Sequence, residues 1–278
     1  MDSLVSTEWL ANEMGASDLR IVDATWVMAG QGDPAADHER AHIPGAVFLD
    51  LEDVRDTAAP LPMMLPPAEK FASRMQSLGL GDGSRIVIYD NSPYRTAARA
   101  WFMFRTFGAH DVAILDGGFA KWQAEGREVA SGREAPRHRH FTAWADRKQV
   151  RALDDMKANL NSGAEQVVDA RSASRFSGEE PEPRAEIAAG HIPGSVNVPI
   201  ARLFEADGTY KSAEDIAGVF EAAGVDINKP IVTTCGSGVT AAVLAFALHL
   251  LGKDAALYDG SWTEWGADPS TPKEKSAA

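Results

Sequence analysis

The chain contains one cysteine, Cys235, and its surroundings favour a reactive thiol. It begins the segment Cys-Gly-Ser-Gly-Val-Thr at 235–240, which follows a β-branched run and precedes a helical one. A side chain between a parallel strand and a helix occupies the usual ligand position of open α/β sheets. The two glycines let backbone N–H groups converge on one point, and with the helix dipole they favour an anion such as a thiolate. A free cysteine is often a small buried hydrophobe, but Gly-Ser-Gly packs poorly in a core, so we predict a nucleophile.

A second segment carries cations suited to a substrate anion. Residues 175–184 read Arg-Phe-Ser-Gly-Glu-Glu-Pro-Glu-Pro-Arg. The prolines predict an extended loop and exclude a helix. Arg175 and Arg184, one at each end, can hold a carboxylate and an α-keto oxygen in the bidentate geometry of guanidinium groups. The residues alone leave a second interpretation equally open, in which a surface loop pairs its arginines with Glu179, Glu180 and Glu182.

Both segments lie in the second half of the chain, which repeats parts of the first half. Four blocks recur in the same order, displaced by about 145 residues, which indicates a duplicated domain. The pairs are Ile21–Thr25 with Val167–Arg171, His42–Val47 with His191–Val196, Ile86–Asp90 with Ile231–Cys235, and Leu115–Phe119 with Tyr258–Trp262. The first copy has Asp90 in the place of Cys235, so we expect it to be catalytically silent. The segment 175–184 has no counterpart there either.

Each copy alternates β-branched runs with helical stretches, which predicts parallel strands joined by right-handed crossovers. The expected strands are Arg20–Ala24, Arg85–Tyr89, Val112–Leu115, Gln166–Ala170, Pro230–Thr234 and Ala255–Tyr258, and the clearest helices are Thr96–Phe107 and Val239–Leu251. The fold class is therefore α/β, with two tandem domains that are each a parallel sheet flanked by helices. We place the domains at residues 1–126 and 148–278, with a linker at 127–147 laid over the surface.

Features that recur in both copies are expected to be structural. His42 and His191 begin matching His-Ile-Pro-Gly segments, which we interpret as turns rather than catalytic sites. Trp122 and Trp265 also recur and predict packing. The basic run at 137–140 is interpreted as a solvated face of the linker, because it offers little aromatic surface for stacking.

Composition excludes several classes of function. The formal net charge of −13 opposes binding to nucleic acid and to anionic membranes. A lone cysteine excludes an internal disulfide. The first fifteen residues lack a signal pattern, and the longest apolar runs fall short of the roughly 20 residues that span a bilayer. We therefore expect a cytoplasmic protein.

The duplicated arrangement and the cysteine segment resemble the rhodanese superfamily, and Cys-Gly-Ser-Gly-Val-Thr-Ala at 235–241 is similar to its 3-mercaptopyruvate sulfurtransferases in particular. The resemblance covers nearly the whole chain and implies two rhodanese-like domains with the active cysteine in the second. It maps the family's two substrate arginines onto Arg175 and Arg184. Thiosulfate sulfurtransferases usually carry Arg and Lys at positions 236 and 237, whereas a neutral loop suits a monocarboxylate better. The implied substrate-binding residues are Arg175, Arg184, Gly236, Gly238, Val239 and Thr240.

The implied chemistry is transfer of sulfur from 3-mercaptopyruvate through a persulfide on Cys235, with release of pyruvate. Ser237 is placed to donate or relay a proton to the leaving group. A thiol such as thioredoxin, or cyanide, then takes the sulfur, and no metal or organic cofactor is expected. The sequence departs from the family at Met63, where many relatives have a histidine, and Glu52 aligns with their acidic residue.

Three other functions compete with this one. A thiosulfate sulfurtransferase is the nearest alternative. A cysteine phosphatase of this fold needs an arginine six residues after the cysteine, and Ala241 stands there, which argues against it. A non-catalytic sulfur carrier or interaction module would have no use for the unshared segment 175–184.

Overall fold

The computed structural model describes residues 1–276, and each half of the sequence forms its own five-stranded parallel sheet. The first sheet has the order β1-β5-β4-β2-β3 and the second the order β6-β10-β9-β7-β8. The strands are β1 (Leu4–Val5), β2 (Leu19–Asp23), β3 (Ala46–Phe48), β4 (Arg85–Tyr89), β5 (Val112–Leu115), β6 (Val150–Arg151), β7 (Gln166–Asp169), β8 (Val196–Asn197), β9 (Ile231–Thr234) and β10 (Ala256–Tyr258).

Helices connect the strands and pack against both sheets, as parallel pairing requires. They are α1 (Thr7–Glu13), α2 (Pro34–Arg40), α3 (Leu51–Val54), α4 (Ala68–Ser77), α5 (Ala97–Thr106), α6 (Gly118–Ala124), α7 (Leu153–Ser162), α8 (Ala173–Ser177), α9 (Ala213–Ala222), α10 (Ala241–Leu250) and α11 (Ser261–Trp265), with a 3₁₀ helix at Ile200–Leu203. The predicted α/β fold of two parallel sheets flanked by helices is confirmed. The six strands and two helices expected from the sequence lie within a residue or two of their predicted bounds.

The chain divides into two compact units. The first unit comprises residues 1–57, 65–146 and 205–210, and the second comprises residues 58–64, 147–204 and 211 onward. Almost all of the segment predicted as a linker, residues 127–146, belongs to the first unit. Within that unit, the buried ring of Phe141 packs edge-on against Phe71 and Phe104. Segment 205–210 also belongs to this unit, because the Tyr210 N–H donates to Asp116 Oδ1 at 2.8 Å.

The residues shared by the two copies are structural, as predicted. Gly45 and Gly194 have φ values of 77° and 74°, so each His-Ile-Pro-Gly segment turns at a glycine in the left-handed region. Trp122 and Trp265 are buried in the hydrophobic core of their own unit. Across residues 1–276, no helix is both long and apolar enough to span a bilayer.

Candidate active site

Cys235 follows the central strand of the second sheet. Strand β9 lies between β10 and β7, and all four of its residues are buried. Residues 241–248 of α10 are also buried, because this helix is apolar on every face. The cysteine loop is therefore suspended between two elements that are fixed in the core, and Cys235 itself is 1% exposed.

The thiol of Cys235 receives a backbone hydrogen bond from its own loop. The Gly238 N–H points at Sγ with an N–S distance of 3.1 Å. Gly238 has a φ of 80°, a conformation that a residue with a Cβ adopts at a cost. The sequence predicted several converging donors, and the structure directs this one to the sulfur. A donor aimed at Sγ stabilises a thiolate or a persulfide anion there.

Helix α11 holds the carbonyl side of the same loop. The Trp262 N–H donates to the Cys235 carbonyl at 2.9 Å. The N–H and the hydroxyl of Thr263 both donate to the Gly236 carbonyl, at 2.8 and 2.7 Å. The hydroxyl of Ser261 accepts the Cys235 N–H at 3.2 Å. These bonds fix the peptide groups at the start of the loop that carries the thiol.

The equivalent loop of the first unit holds a carboxyl group. Asp90 occupies the position of Cys235, and its carboxylate accepts the N–H groups of Ser92 at 2.9 Å and of Ala97 at 2.7 Å. Burial raises the pKa of Asp90 above its ordinary value, while these two bonds act against that rise. Pro93, which has no N–H, stands where the second copy has Gly238. This loop is filled by its own side chain and lacks the donor that contacts sulfur.

Arg175 lies on α8, which corrects the prediction of an extended loop over 175–184. Residues 173–177 are helical, with Ser172 as the N-cap. The two prolines, at 181 and 183, restrict only themselves and the residues just before them, so they leave the start of the segment free to form a helix turn. That turn directs Arg175 toward the cysteine loop. A Cβ built on Gly236 would lie 3.2 Å from Arg175 Nη2.

A buried chain of alternating charges supports Arg175. Arg171 donates to Asp169 Oδ2 at 2.6 Å and to Glu182 Oε1 at 2.7 Å, and Arg175 donates to the other oxygen of Glu182. Burial lowers the pKa of Arg171, but the two carboxylates outweigh it and leave that pKa above its ordinary value. The Cζ atom of Arg171 also lies 4.7 Å from the ring centroid of Trp262. The backbone N–H of Trp262 is the group that donates to the Cys235 carbonyl.

The remaining predicted site residues differ in how far they are buried. Ser237 and Thr240 are half-buried in the cysteine loop, and Val239 is buried. Arg184 is exposed, and in the part of the chain that the structure describes its guanidinium forms no hydrogen bond or ion pair. The structure thus brings Arg175 against the cysteine loop and leaves Arg184 on the surface of the following segment.

Four site residues were missed from the sequence: Arg171, Glu182, Ser261 and Thr263. A signal existed for three of them, because the first copy has Thr25, Gly118 and Ala120 at the positions of Arg171, Ser261 and Thr263. A charged or hydroxyl side chain that only one copy has at a given position indicates a reaction that only that copy performs. Glu182 was named from the sequence as a possible surface partner of the arginines, and it does pair with Arg175, but its side chain is buried at 2% exposure rather than at the surface.

Comparison with known proteins identifies the class. The rhodanese-like domain family matches the chain twice, at residues 6–125 and 152–268. The chain therefore belongs to the rhodanese family, and the resemblance inferred from its sequence is confirmed.

Particular relatives carry sulfurtransferase names. The chain is 43% identical to human 3-mercaptopyruvate sulfurtransferase over 271 residues, which cover 95% of this chain and 91% of that protein. It is 41% identical to bovine thiosulfate sulfurtransferase over the same length and the same shares of each protein. Among solved structures, it matches Escherichia coli SseA, a 3-mercaptopyruvate sulfotransferase, with a TM-score of 0.86 and 38% identity over 94% of this chain and 99% of that one.

Proposed function

We propose that this chain is a 3-mercaptopyruvate sulfurtransferase that works through a persulfide on Cys235. The observation that carries this choice of donor is the position of the Arg175 guanidinium beside Gly236. The cysteine loop, residues 235–240, contributes no cation of its own. One guanidinium next to the nucleophile matches a donor with a single carboxylate. The names of the human and Escherichia coli relatives support the same activity.

The first half-reaction transfers one sulfur atom. Arg175 holds the carboxylate of the donor, and a contact from Arg184 to the keto oxygen stays a prediction from the sequence. The Cys235 thiolate attacks the donor sulfur, a sulfur–sulfur bond forms, and the carbon–sulfur electron pair stays on carbon as the enolate of pyruvate. Ser237, two residues after the nucleophile, donates or relays the proton that converts the enolate to pyruvate. The Gly238 N–H stabilises the sulfur anion before and after transfer.

The second half-reaction needs an acceptor from outside the chain. Because Cys235 is the sole cysteine, no second thiol can displace the outer sulfur and close an internal disulfide. A thiolate such as that of thioredoxin, or cyanide, attacks the outer sulfur and restores the Cys235 thiolate. Thioredoxin as the acceptor, a cytoplasmic location and the absence of a cofactor stay predictions.

Mass spectrometry and pyruvate release test the scheme together. After exposure to 3-mercaptopyruvate, the peptide that contains Cys235 should gain about 32 Da, the mass of one sulfur. Cys235→Ser should show no adduct and no pyruvate release, because the hydroxyl is a far weaker nucleophile toward sulfur. Sustained pyruvate release by Cys235→Ser would refute the persulfide mechanism.

The second candidate is thiosulfate sulfurtransferase activity, which the 41% identity to the bovine enzyme favours. Thiosulfate is a dianion, and the neutral residues at 236 and 237 add no second cation to the one that Arg175 provides beside the nucleophile. The ratio of kcat/KM for the two donors separates the candidates. A ratio that favours thiosulfate would overturn the choice of donor but leave Cys235 as the nucleophile.

A further inference from the structure

We infer that Glu182 is a positioning residue that aims Arg175 at the cysteine loop and so contributes to selection of a carboxylate-bearing donor. This inference deepens the proposed function and rests on it for the identity of the donor. Glu182 touches neither the thiol nor the substrate in this scheme. It acts through Arg175.

The first support is the geometry of Glu182. Its carboxylate is nearly excluded from solvent and bridges two guanidinium groups, Arg171 through Oε1 and Arg175 through Oε2. Charge-assisted bonds to guanidinium groups are short and directional, especially in a site shielded from water. Arg175 is thereby tied at Nη2, the same nitrogen that faces the Cβ position of Gly236.

The second support is the rigidity of the anchor. Arg171, which holds the other oxygen of Glu182, is itself fixed by Asp169 and by the Gly190 carbonyl at 2.8 Å. Glu182 is therefore a fixed point rather than a mobile surface carboxylate. Without it, Arg175 would lose its one ion-pair partner among the described residues and could swing toward solvent, since its side chain is already 25% exposed.

The third support is a nitrogen of Arg175 that Glu182 does not use. Glu182 binds Nη2, whereas Nη1 forms no hydrogen bond within residues 1–276 and lies 3.8 Å from the Cβ position of Gly236. A donor carboxylate beside Gly236 can accept a hydrogen bond from this nitrogen. Glu182 therefore holds Arg175 by one nitrogen and leaves another to an incoming anion.

The first copy contains no equivalent of this arrangement. It has Thr25 in the place of Arg171, and it lacks the segment that carries Arg175 and Glu182. The chain of alternating charges from Asp169 to Arg175 occurs in the copy that has the nucleophile. This fits a role in catalysis better than a general role in stabilising the fold.

Steady-state kinetics with two donors test the inference. Glu182→Ala should lower kcat/KM for 3-mercaptopyruvate by about tenfold or more, mainly through KM, because a misplaced Arg175 no longer holds the carboxylate. Thiosulfate turnover should fall much less. The matched control is Glu186→Ala, a glutamate four residues further on that is exposed and bound to no described residue. In an Arg175→Ala background, adding Glu182→Ala should cause little further loss. Equal losses with both donors, a full extra loss in that background, or kinetics equal to those of Glu186→Ala would overturn it.

Chemical labelling gives a readout that does not depend on the donor. Phenylglyoxal should modify Arg175 faster in Glu182→Ala than in the wild-type chain, as measured by peptide mass spectrometry, while labelling of Arg184 stays unchanged. If Glu182→Ala fails to fold, Glu182→Gln serves in both assays, because it keeps one acceptor oxygen but places an amide against an arginine. Faster labelling in a chain that does not use 3-mercaptopyruvate would refute the proposed donor and leave the positioning role. Unchanged labelling in a chain that does use it would refute the positioning role alone.

Discussion

Gly236→Ala isolates the contact between the cysteine loop and Arg175. The added Cβ would lie 3.2 Å from Nη2, 3.8 Å from Nη1 and 4.0 Å from Cζ of Arg175. The first of these distances is tighter than ordinary contact, so the guanidinium must yield by a few tenths of an ångström. The φ of Gly236 lies outside the left-handed region, so alanine adds no backbone strain. The substitution thus perturbs the position of one cation and little else.

The expected loss follows from the size of that displacement. A misplacement of 1 Å in a catalytic site can cost roughly 100-fold in rate, so a shift of about a third of this corresponds to a loss of about fourfold in kcat/KM for 3-mercaptopyruvate. This equals about 0.8 kcal/mol of transition-state stabilisation. Thiosulfate turnover should change by less than about twofold, because that donor has no carboxylate for Arg175 to hold.

The assay compares pyruvate release and thiosulfate turnover in the same preparations. Gly218→Ala is the control, since Gly218 lies on α9, is exposed, and has no atom within 4 Å of the added Cβ. It should keep both activities and gain about 0.5–1 kcal/mol of stability, as expected for alanine in a helix. An unchanged donor ratio in Gly236→Ala would refute the idea that Arg175 acts from its place beside the loop.

Three further changes have defined outcomes. Thr263→Val removes the hydroxyl bond to the Gly236 carbonyl but keeps the backbone one, so kcat should fall by about fivefold, corresponding to about 1 kcal/mol, and Thr263→Ser should restore it; a fully active valine variant would contradict the role of α11. Bonds from Thr209, followed by Lys121, lower the pKa of Asp207 to about 2, so the stability contributed by its ionised form is present above pH 4 and lost as pH falls toward 2. Asp207→Asn should therefore flatten the pH dependence of the unfolding free energy in that window, and an unchanged slope would count against the assignment. Asp90→Cys combined with Cys235→Ser should form no persulfide detectable by mass spectrometry, because the first loop has a proline where the second has the donor to sulfur; an adduct on the new cysteine would show that this donor is dispensable.

The fold could be predicted from the sequence because the same pattern of strands and helices occurs in both halves. Each central strand is a short β-branched run, and the recurrence of Ile86–Asp90 as Ile231–Cys235 places the nucleophile at the end of the middle strand of its sheet. The four outer strands, β1, β3, β6 and β8, were missed because they have only two or three residues, too few to show a periodic pattern. Their pairing is decided by the sheet edge that is already formed.

The site was accessible only in part, because its supporting contacts depend on the fold. The cysteine loop could be predicted because Cys235, Gly236 and Gly238 are adjacent in the sequence and the glycines determine the local backbone conformation. The bridge from Arg171 through Glu182 to Arg175 depends on α8 and on how the chain returns after it, and the prolines wrongly suggested that no helix forms there. The hydroxyls of Ser261 and Thr263 lie 26 and 27 residues along the chain from Cys235 and Gly236, the loop residues that they contact. Differences between the copies would have revealed them, since neither hydroxyl occurs in the first copy.

The carboxylate of Asp90 has a consequence for stoichiometry. A ligand that is tethered covalently beside its binding site has a very high effective concentration, and free anions compete with it poorly. The first unit therefore behaves as a site with a permanent inhibitor and takes no donor from solution. Under the proposed mechanism, every sulfur atom that the chain accepts enters through Cys235, so the protein should saturate at one transferable sulfur per polypeptide although it carries two copies of the domain.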